Sequence, residues 1–550
     1  MFQLSGTSII GYGRGATGGG PFHGISPSTG AELEPGYCAA SAEEVDEAAQ
    51  LASAAFEIYS GSTGRVKAAL LRQIADNIEQ LGDVLITRAV AETALPAPRI
   101  KTETARTCYQ LRLFAELVEE GSWVDARIDR ADPNRTPLPK PDVRSMLRPL
   151  GPVVVFCASN FPLAFSVAGG DTASALAAGN PVIVKAHHAH PGTAELIGLA
   201  VSDAVRTCDL PEGVFSLIFG PGSEVGMQLV KHPVIKAGGF TGSRLGGLAL
   251  LNAATSRSEP IPFYAEMSSV NPIFILPDAL GERADEIAIG LHASVTLGVG
   301  QFCTNPGLVF VPDRGAESLI ERLGELIAAT PSSAMLTAGI CSAYHEGIAT
   351  LKQHPRVELI AEQKGQGNGV IGPGRLPVNS GDSFAGAALF QIDATSFLQD
   401  HNLSAEVFGP STLLVKYSSR EQLADIARNL EGQLTATIHA TEAELKECSE
   451  LLGVVETKAG RLLFNGFPTG VEVGHAIVHG GPFPATSDGR STSVGTRATL
   501  RFVRPVCYQD WPDSALPDEL KDSNPLNIWR MVAGQMTKGS SSDKSRLSPA

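Results

Sequence analysis

The sequence predicts an α/β protein built from parallel sheets that are covered by helices on both faces. Short apolar runs such as PVVVF (152–156) and PVIVK (181–185) are typical of strands buried on both sides. A helical pattern, TAELIGLAVSDAV (193–205), follows the second of these runs. The same alternation of strands and helices resumes between residues 268 and 467. The 550 residues are therefore expected to form two α/β blocks with further elements around them.

The segments outside these blocks have different patterns. Ser41 and Glu44 have the spacing of a capping box and begin a run of amphipathic helices. The proline-rich, charged stretch 128–148 predicts an extended arm or an edge hairpin, and RATLRFVRPVCY (497–508) predicts a strand. The polar end of the chain, GQMTKGSSSDKSRLSPA (534–550), is expected to be disordered.

Composition excludes several classes of function. The net charge of −15 argues against nucleic acid or an anionic membrane surface as a partner. The 8 cysteines form no CxxC pair, so neither a zinc knuckle nor a disulfide framework is indicated. The histidines of KAHHAH (185–190) have no carboxylate or thiol at ligand spacing, and we predict no metal site. Without a signal-peptide core or a run of the roughly 20 apolar residues that spans a bilayer, a reduced, cytoplasmic protein is expected.

One thiol stands in an unusual setting. Cys303 lies in GVGQFCTNPG (298–307), among glycines and beside a proline. A structural cysteine is normally a small core hydrophobe, whereas a nucleophilic thiol needs access and nearby donors, which small residues permit. Both roles remain open from this segment alone.

Polar residues follow the predicted strands directly. Asn160 comes after PVVVF, where its amide is placed to donate to a developing oxyanion. Lys185 ends PVIVK, a position suited to a ribose or a phosphate. Glu266 lies between Ala265 and Met267, and partial desolvation is expected to raise its pKa and to suit it to act as a base. A glutamate that merely caps a loop is an equally open interpretation.

Two glycine-containing turns also follow strands. GPGSEVG (220–226) and FTGSRLGG (240–247) both stand between a strand and a helix, although neither is a strict GxGxxG motif. Gly242 and Ser243 are expected to present backbone N–H groups at a helix N-terminus, which suits a pyrophosphate.

Taken together, these motifs resemble the aldehyde dehydrogenase superfamily. ASNFPLAF, PVIVKA, FTGS, FYAEMSSVNP, GQFCTNPG and EVFGP occur in its order, and the resemblance covers roughly residues 40–508. It implies that Cys303 is the nucleophile and Glu266 the general base. It also implies that Asn160 and the backbone N–H of Cys303 form the oxyanion hole. The chemistry implied is oxidation of an aldehyde to a carboxylic acid through a thiohemiacetal and a thioester.

The resemblance implies NADP or NAD as the cofactor. The residues implied to contact it are Lys185 and Glu406 at the riboses, Gly242 and Ser243 at the pyrophosphate, Phe408 at the nicotinamide, and His188 and Phe156. His188 stands where NAD-specific members often carry a glutamate, and Ser223 where NADP-binding relatives carry an arginine. Use of both cofactors is therefore expected.

The fold implied is an aldehyde dehydrogenase fold with a Rossmann-like cofactor domain, an α/β catalytic domain and a β oligomerisation arm. The expected boundaries are 1–127 and 149–267 for the NAD(P)-binding domain, 268–480 for the catalytic domain, 128–148 and 490–510 for the arm, and 511–550 for a C-terminal extension whose end is disordered. Because such an arm adds strands to a partner subunit, a homodimer or homotetramer is expected.

Longer stretches favour one subgroup. GQLTATIH (432–439), NGFPTGVEV (465–473) and HGGPFPAT (479–486) are similar to dehydrogenases of 2-oxoglutarate semialdehyde (2,5-dioxopentanoate) from sugar-acid or hydroxyproline catabolism. Arg112 is the candidate partner for the substrate carboxylate, although a solvated surface arginine is an open alternative. The residues expected to shape an apolar tunnel are Phe161, Phe165 and Phe467. The alternatives are an NADP-dependent long-chain or broad-range aldehyde dehydrogenase, a CoA-acylating relative and a non-catalytic structural protein.

Overall fold

The structure confirms the predicted α/β class. It is a computed structural model that describes residues 4–17, 22–363 and 383–540. Within these residues it contains two seven-stranded sheets, one five-stranded sheet and two small two-stranded sheets. The disorder expected for residues 541–550 lies outside the described residues. No described helix is long and apolar enough to cross a membrane.

The first sheet carries the strands that precede residue 267. Its strands lie side by side in the order Phe263–Glu266, Ala237–Thr241, Val153–Phe156, Val182–Lys185, Phe215–Ile218, Ile9–Ile10 and Gly13–Arg14. All but the two short N-terminal strands run parallel. The direction of strand addition reverses between Val153–Phe156 and Ala237–Thr241. Open parallel sheets bind ligands at such a reversal, beyond the carboxyl ends of the strands.

Both faces of the first sheet are buried. Val153 and Val155 belong to one apolar cluster, and Val154 and Phe156 to another. Successive side chains of a strand point to opposite faces, which explains why PVVVF is apolar throughout. The covering helices are Ala42–Tyr59, Gly64–Thr93, Ala97–Glu120, Gly170–Ala178, Pro191–Thr207, Met227–Lys231 and Arg244–Thr255. The capping box predicted at Ser41 is confirmed at the start of the first of them.

The second sheet forms the core of the other α/β block. Its strands lie in the order Glu358–Glu362, Ala388–Asp393, Ser411–Tyr417, Leu308–Pro312, Ile273–Ile275, Gln433–His439 and Ala459–Phe464. Only the edge strand Glu358–Glu362 pairs in the antiparallel sense among these described strands. The helices of this block are Pro277–Thr296, Glu317–Ala329, Ala338–Gln353, Ala394–Gln399, Arg420–Asn429, Glu442–Glu447 and Ser449–Glu456.

The connection between the two sheets is held at the amino end of a strand of the second sheet. Gln433 begins strand Gln433–His439, and its Oε1 accepts hydrogen bonds from the backbone amides of Val270 and Asn271, at 2.8 and 3.2 Å. The same oxygen accepts from Ser269 Oγ at 2.9 Å. The amino ends of the second sheet therefore lie against the segment that leaves the carboxyl end of Phe263–Glu266 in the first.

The five-stranded sheet contains strands from both predicted arm segments. Its order is Val503–Gln509, Val143–Pro149, Arg127–Asp129, Arg530–Val532 and Gln535–Thr537. The predicted strand of 497–508 begins only at residue 503, because 496–502 form a 3₁₀ helix. The disorder expected from residue 534 is wrong for Gln535–Thr537, which pairs with Arg530–Val532 as the outer strand. Arg530 is fully buried and donates to backbone carbonyls of this extension, which holds the segment in place.

Candidate active site

The loop that carries Cys303 is shaped by its glycines. After helix Pro277–Thr296 the chain turns through residues 297–300, and Gly300 has a φ of +65°. A Cβ on Gly300 would lie 2.3 Å from the carbonyl of Gly409, so only glycine permits this close approach. Asn271 Nδ2 donates to the carbonyl oxygen of Cys303 at 2.9 Å and holds the loop from below.

Cys303 lies beside a histidine and a carboxylate. Its Sγ is 3.5 Å from Nε2 of His479, and that nitrogen is 2.9 Å from Oε1 of Glu266. Ser493 Oγ donates to the other carboxylate oxygen at 2.9 Å. The side chains of His479 and Glu266 are buried, at 0% and 4% exposure, so the three groups interact with little solvent screening.

The pKa values of Cys303 and Glu266 are shifted in opposite directions, and the shift of Glu266 differs from the prediction. Burial and the negative charge of Glu266 raise the pKa of the Cys303 thiol well above its ordinary value. Burial alone would raise the pKa of Glu266, but the charge and hydrogen bond of His479 and the hydrogen bond from Ser493 lower it below its ordinary value. The raised pKa predicted for Glu266 is therefore wrong. At neutral pH the pair consists of a carboxylate and a protonated thiol.

His479 is the residue that sequence analysis missed. It stands at the start of HGGPFPAT, a stretch that served only to indicate the subgroup. In the structure, its Nδ1 is buried without a hydrogen-bond partner among the described residues, and Nε2 faces the thiol and the carboxylate. The only local signal was a histidine in a run of small and apolar residues. The same Cys, Glu and His donors lie within 4.8 Å of one another, so the absence of a metal stays a prediction.

Asn160 lies against the cysteine loop. Its Nδ2 donates to the carbonyl oxygen of Gln301 at 3.0 Å, and the residue is 9% exposed. This contact places a side-chain amide two residues from Cys303 in a largely desolvated position. This position is compatible with the predicted role of Asn160 in the oxyanion hole, and that role remains a prediction.

Lys185 and His188 lie at the carboxyl end of the neighbouring strand. Burial lowers the pKa of Lys185 to about 8, and only 6% of the residue is exposed. His188 is exposed and stacks on His187, with ring centres 4.4 Å apart. A buried ammonium at a strand end suits a ligand that brings hydroxyl or phosphate oxygens.

The turn after strand Ala237–Thr241 differs from the prediction. The N–H of Gly242 donates to the carbonyl of Glu266 at 3.1 Å, so this amide is not free for a pyrophosphate. Ser243 is the N-cap of helix Arg244–Thr255, and its Oγ accepts from the amide of Gly246 at 3.2 Å. The anion-attracting feature left at this turn is the N-terminus of the helix itself.

Glu406 and Phe408 lie in a loop that packs on the cysteine loop. Asn305 Nδ2 donates to the carbonyl of Gly409 at 3.1 Å, which joins the two loops. Burial raises the pKa of Glu406 to about 7, although a hydrogen bond from Ser268 acts in the opposite direction. A carboxyl so placed gains from a ligand hydroxyl that donates to it.

Phe156 lies in the core of the first block. Its ring centre is 6.1 Å from those of Phe240 and Phe263, and a Cβ on Gly226 would lie 2.8 Å from the ring. Phe156 therefore supports the turn 220–226 from below, and a direct cofactor contact stays a prediction.

Two of the predicted tunnel residues lie close to the thiol. The ring centre of Phe161 is 5.2 Å from that of Phe302 and 5.2 Å from that of Phe165. Phe165 in turn lies 5.7 Å from the His479 ring. Phe467 packs elsewhere, with its ring centre 5.0 Å from that of His439. The aromatic wall near Cys303 is thus formed by Phe161, Phe165 and Phe302.

Arg112 does not face this wall. Its guanidinium pairs with Asp76 at 2.7 Å and Glu79 at 2.6 Å, and all three side chains are substantially exposed. This placement argues against the predicted contact with a substrate carboxylate, because two acidic groups already occupy its donors.

A partly buried thiol beside a buried imidazole and carboxylate, at the junction of two α/β sheets, defines an enzyme site for covalent catalysis by cysteine. Residues 16–482 match the model of the aldehyde dehydrogenase family, and the chain belongs to this family.

Two relatives match almost the whole chain. The alpha-ketoglutaric semialdehyde dehydrogenase 2 of Azospirillum brasilense is 50% identical over 97% of this chain and 99% of its own length. The alpha-ketoglutaric semialdehyde dehydrogenase of Acinetobacter baylyi is 47% identical over 91% of this chain and 93% of its own.

Solved structures confirm the fold. A 1-pyrroline-5-carboxylate dehydrogenase from Thermus with bound NAD superposes with a TM-score of 0.74, covering 92% of both chains at 21% identity. The lactaldehyde dehydrogenase of Escherichia coli superposes with a TM-score of 0.77 at 19% identity, covering 92% of this chain and 98% of its own.

Proposed function

We propose that this protein oxidises 2-oxoglutarate semialdehyde (2,5-dioxopentanoate) to 2-oxoglutarate with NAD or NADP. The observation that carries the proposal is the contact of Cys303 with His479 and Glu266 at the junction of the two sheets. The similarity to the A. brasilense and A. baylyi enzymes supports the choice of substrate.

The first chemical task is to form the thiolate. Because burial and Glu266 raise the pKa of Cys303, the thiolate needs a hydrogen-bond donor that stabilises it. The thiol proton passes to water, and the N–H at Nε2 of His479, 3.5 Å from Sγ and 2.9 Å from Glu266 Oε1, stabilises the thiolate. The thiolate then attacks the aldehyde carbon and gives a thiohemiacetal on Sγ.

The remaining steps use the polar groups around the thiol. Asn160 Nδ2 and the N–H of Cys303 stabilise the oxyanion of the thiohemiacetal. The bound nicotinamide supplies the hydride acceptor of the reaction. Glu266, a carboxylate at neutral pH, accepts a proton from the water that hydrolyses the thioester.

The described residues fit an NAD(P) molecule. Lys185 is a buried cation at the strand end beside the reversal of strand order, where dinucleotides bind. The N-terminus of helix Arg244–Thr255 follows strand Ala237–Thr241, on the other side of the reversal, and suits a pyrophosphate. His188 brings no negative charge to the adenosine end, which is compatible with the 2′-phosphate of NADP as well as with NAD.

We also propose that the protein is a homodimer or homotetramer in the cytoplasm. The outer strand Ala459–Phe464 of the second sheet exposes Leu462 and Phe464, at 41% and 47%. The arm strand Val503–Gln509 is likewise an outer strand, and pairing between copies would cover both edges. Sedimentation analysis of the full chain measures the assembly, and a monomer at micromolar concentration would contradict it.

The function is tested by comparing the kcat/KM of three aldehydes. Formation of NADH and NADPH is measured with 2-oxoglutarate semialdehyde, glutarate semialdehyde and hexanal, for the wild type and Cys303→Ala. We expect the highest kcat/KM for 2-oxoglutarate semialdehyde and loss of activity in the variant. A preference for hexanal would favour the long-chain alternative, and full activity of Cys303→Ala would exclude the mechanism.

A further inference from the structure

An arginine lies beside the aromatic wall, and most of its hydrogen-bond donors have no partner among the described residues. Arg106 lies on helix Ala97–Glu120, with its Cζ 5.5 Å from the ring centre of Phe165. The Phe165 ring centre is 5.7 Å from that of His479, and His479 contacts the thiol. Arg106 and His479 therefore both pack on the ring of Phe165. Arg106 Nε donates to the carbonyl of Val471 at 3.2 Å.

The two terminal nitrogens of Arg106 have no partner. Nη1 and Nη2 are both buried, and neither makes a hydrogen bond with any of the described residues. Burial lowers the pKa of Arg106, while the charges of Glu103, Cys303 and Glu472 favour its charged form. Desolvating a guanidinium without partners is unfavourable, so the empty donors indicate a site that a ligand completes.

The other arginines of this region are already engaged. Arg99 Nη2 lies 3.5 Å from Glu103, and its guanidinium covers the rings of the aromatic wall. Arg461 donates to two backbone carbonyls, at 3.0 and 2.6 Å. Arg112 is held by two carboxylates away from the wall. Arg99 Nη2 also lacks a hydrogen bond, but it lies beside the Glu103 carboxylate; of these four, only Arg106 has both terminal nitrogens buried without a hydrogen-bond partner among the described residues.

We propose that Arg106 binds the carboxylate of the substrate, with Nη1 and Nη2 each donating to one carboxylate oxygen. The planar fork of arginine matches a carboxylate in this bidentate manner. Phe161 and Phe165 contact the carbon chain between the two ends, while Cys303 reacts with the aldehyde carbon. The inference rests on the proposed function, because an oxo acid carries a carboxylate at the end opposite its aldehyde and a simple aldehyde does not.

The ligand class follows from this geometry. The substrates favoured are short oxo acids with one aldehyde end and one carboxylate end, and unbranched aldehydes of equal length lack the second contact. Arg106 acts on substrate selection and touches none of the reacting atoms, so its loss should separate charged from uncharged substrates.

The test compares two substrates in matched variants. kcat/KM is measured for 2-oxoglutarate semialdehyde and for pentanal, which has the same number of carbons without the carboxylate. For Arg106→Met we expect kcat/KM for the semialdehyde to fall about 100-fold, mostly through KM, as for a lost hydrogen-bonded charge pair. Pentanal should change less than about threefold, since it makes no such contact.

Two further variants serve as controls. Arg112→Met removes an arginine of the same helix and should leave both substrates unchanged. Arg106→Lys keeps the charge without the fork, and should fall between the wild type and Arg106→Met. The inhibition constant of 2-oxoglutarate against pentanal oxidation should rise in Arg106→Met in parallel with the KM of the semialdehyde.

The outcomes distinguish this inference from the proposed function. A wild type without preference for the semialdehyde would contradict the proposed function. In that case the role of Arg106 is still tested by 2-oxoglutarate inhibition, and equal inhibition constants in the wild type and Arg106→Met would overturn it. A wild-type preference that Arg106→Met retains would overturn the role of Arg106 alone. Equal loss of both substrates in Arg106→Met and in Arg106→Lys would also overturn it, since that pattern reports a structural role.

Discussion

The two seven-stranded sheets have similar architectures but present opposite ends to the site. In the first sheet, Lys185 and Glu266 are the last residues of their strands, and Asn160 follows the end of another. In the second sheet, Cys303 and Glu406 lie in loops that precede strands Leu308–Pro312 and Ser411–Tyr417. The site is formed where carboxyl ends of one sheet meet amino ends of the other.

This difference has an electrostatic consequence. Helices that follow the strands of the first sheet, such as Arg244–Thr255, begin near the site and favour anions there. The cysteine loop of the second sheet instead follows the end of helix Pro277–Thr296, where the helix dipole offers a thiolate no help. The first sheet is therefore suited to hold phosphates, whereas in the proposed mechanism a thiolate on the second is stabilised by His479.

Replacing Glu266 should produce the largest effect. In Glu266→Gln the thioester is no longer hydrolysed efficiently, and kcat should fall about 10³-fold, as for loss of a general base. A burst of NADH or NADPH of about one per site should remain, measured by stopped-flow absorbance. Steady turnover at the wild-type rate would show that the carboxylate of the first sheet does not serve the thiol of the second. Ser493→Ala, which removes the hydrogen bond to Oε2 and a longer one to the carbonyl of His479, serves as the milder comparison.

Replacing His479 should lower kcat/KM about 10²-fold, as for loss of a hydrogen-bond donor to a developing negative charge. His479 lowers the pKa of Glu266, so His479→Gln should raise it. The carboxylate is the active form of Glu266. The acid limb of the pH profile should therefore shift to higher pH in His479→Gln. The measurement is the pH profile of kcat/KM, together with the rate of Cys303 alkylation by iodoacetamide.

The thiol should alkylate faster as the pH rises through the alkaline range in the wild type, because its pKa is raised. His475→Gln is the matched control on the same segment, since His475 contacts Thr496 and not the thiol. An unchanged acid limb in His479→Gln would argue against the coupling of the two sheets through this histidine.

Replacing Lys185 should weaken cofactor binding by about 10-fold or more, the usual effect of losing a hydrogen bond from a charged group. Lys185→Met should raise KM for both NAD and NADP while the rate at saturation stays close to that of the wild type. Lys236→Met is the control, because Lys236 is partly exposed and pairs with Glu259. If instead kcat alone fell in Lys185→Met, the assignment of the first sheet to cofactor binding would need revision.

The smallest expected effect concerns the choice between the cofactors. His188→Glu places a negative charge at an exposed position beside Lys185. It should lower kcat/KM for NADP relative to NAD about fivefold, as expected for a partly screened repulsion. His188→Gln separates the charge from the loss of the ring, and a ratio that changes equally in both variants would exclude repulsion as the cause.

Local patterns predicted much of the molecule. The capping box at Ser41, the buried strands and the cysteine loop were recognisable because their determinants lie within a few residues of one another. The arm strand Gln535–Thr537 was not, because a polar segment becomes a strand only when a neighbouring strand pairs with it.

The sequence by itself determined the α/β class, the family and the position of the thiol, since each depends on residue types at short spacing. Only the tertiary structure brought His479 to Cys303 across 176 residues and reversed the pKa shift expected for Glu266. It likewise engaged Arg112 with two carboxylates and left the terminal nitrogens of Arg106 without partners among the described residues. The charge state and availability of a side chain depend on distant neighbours and on burial, and local spacing contains neither.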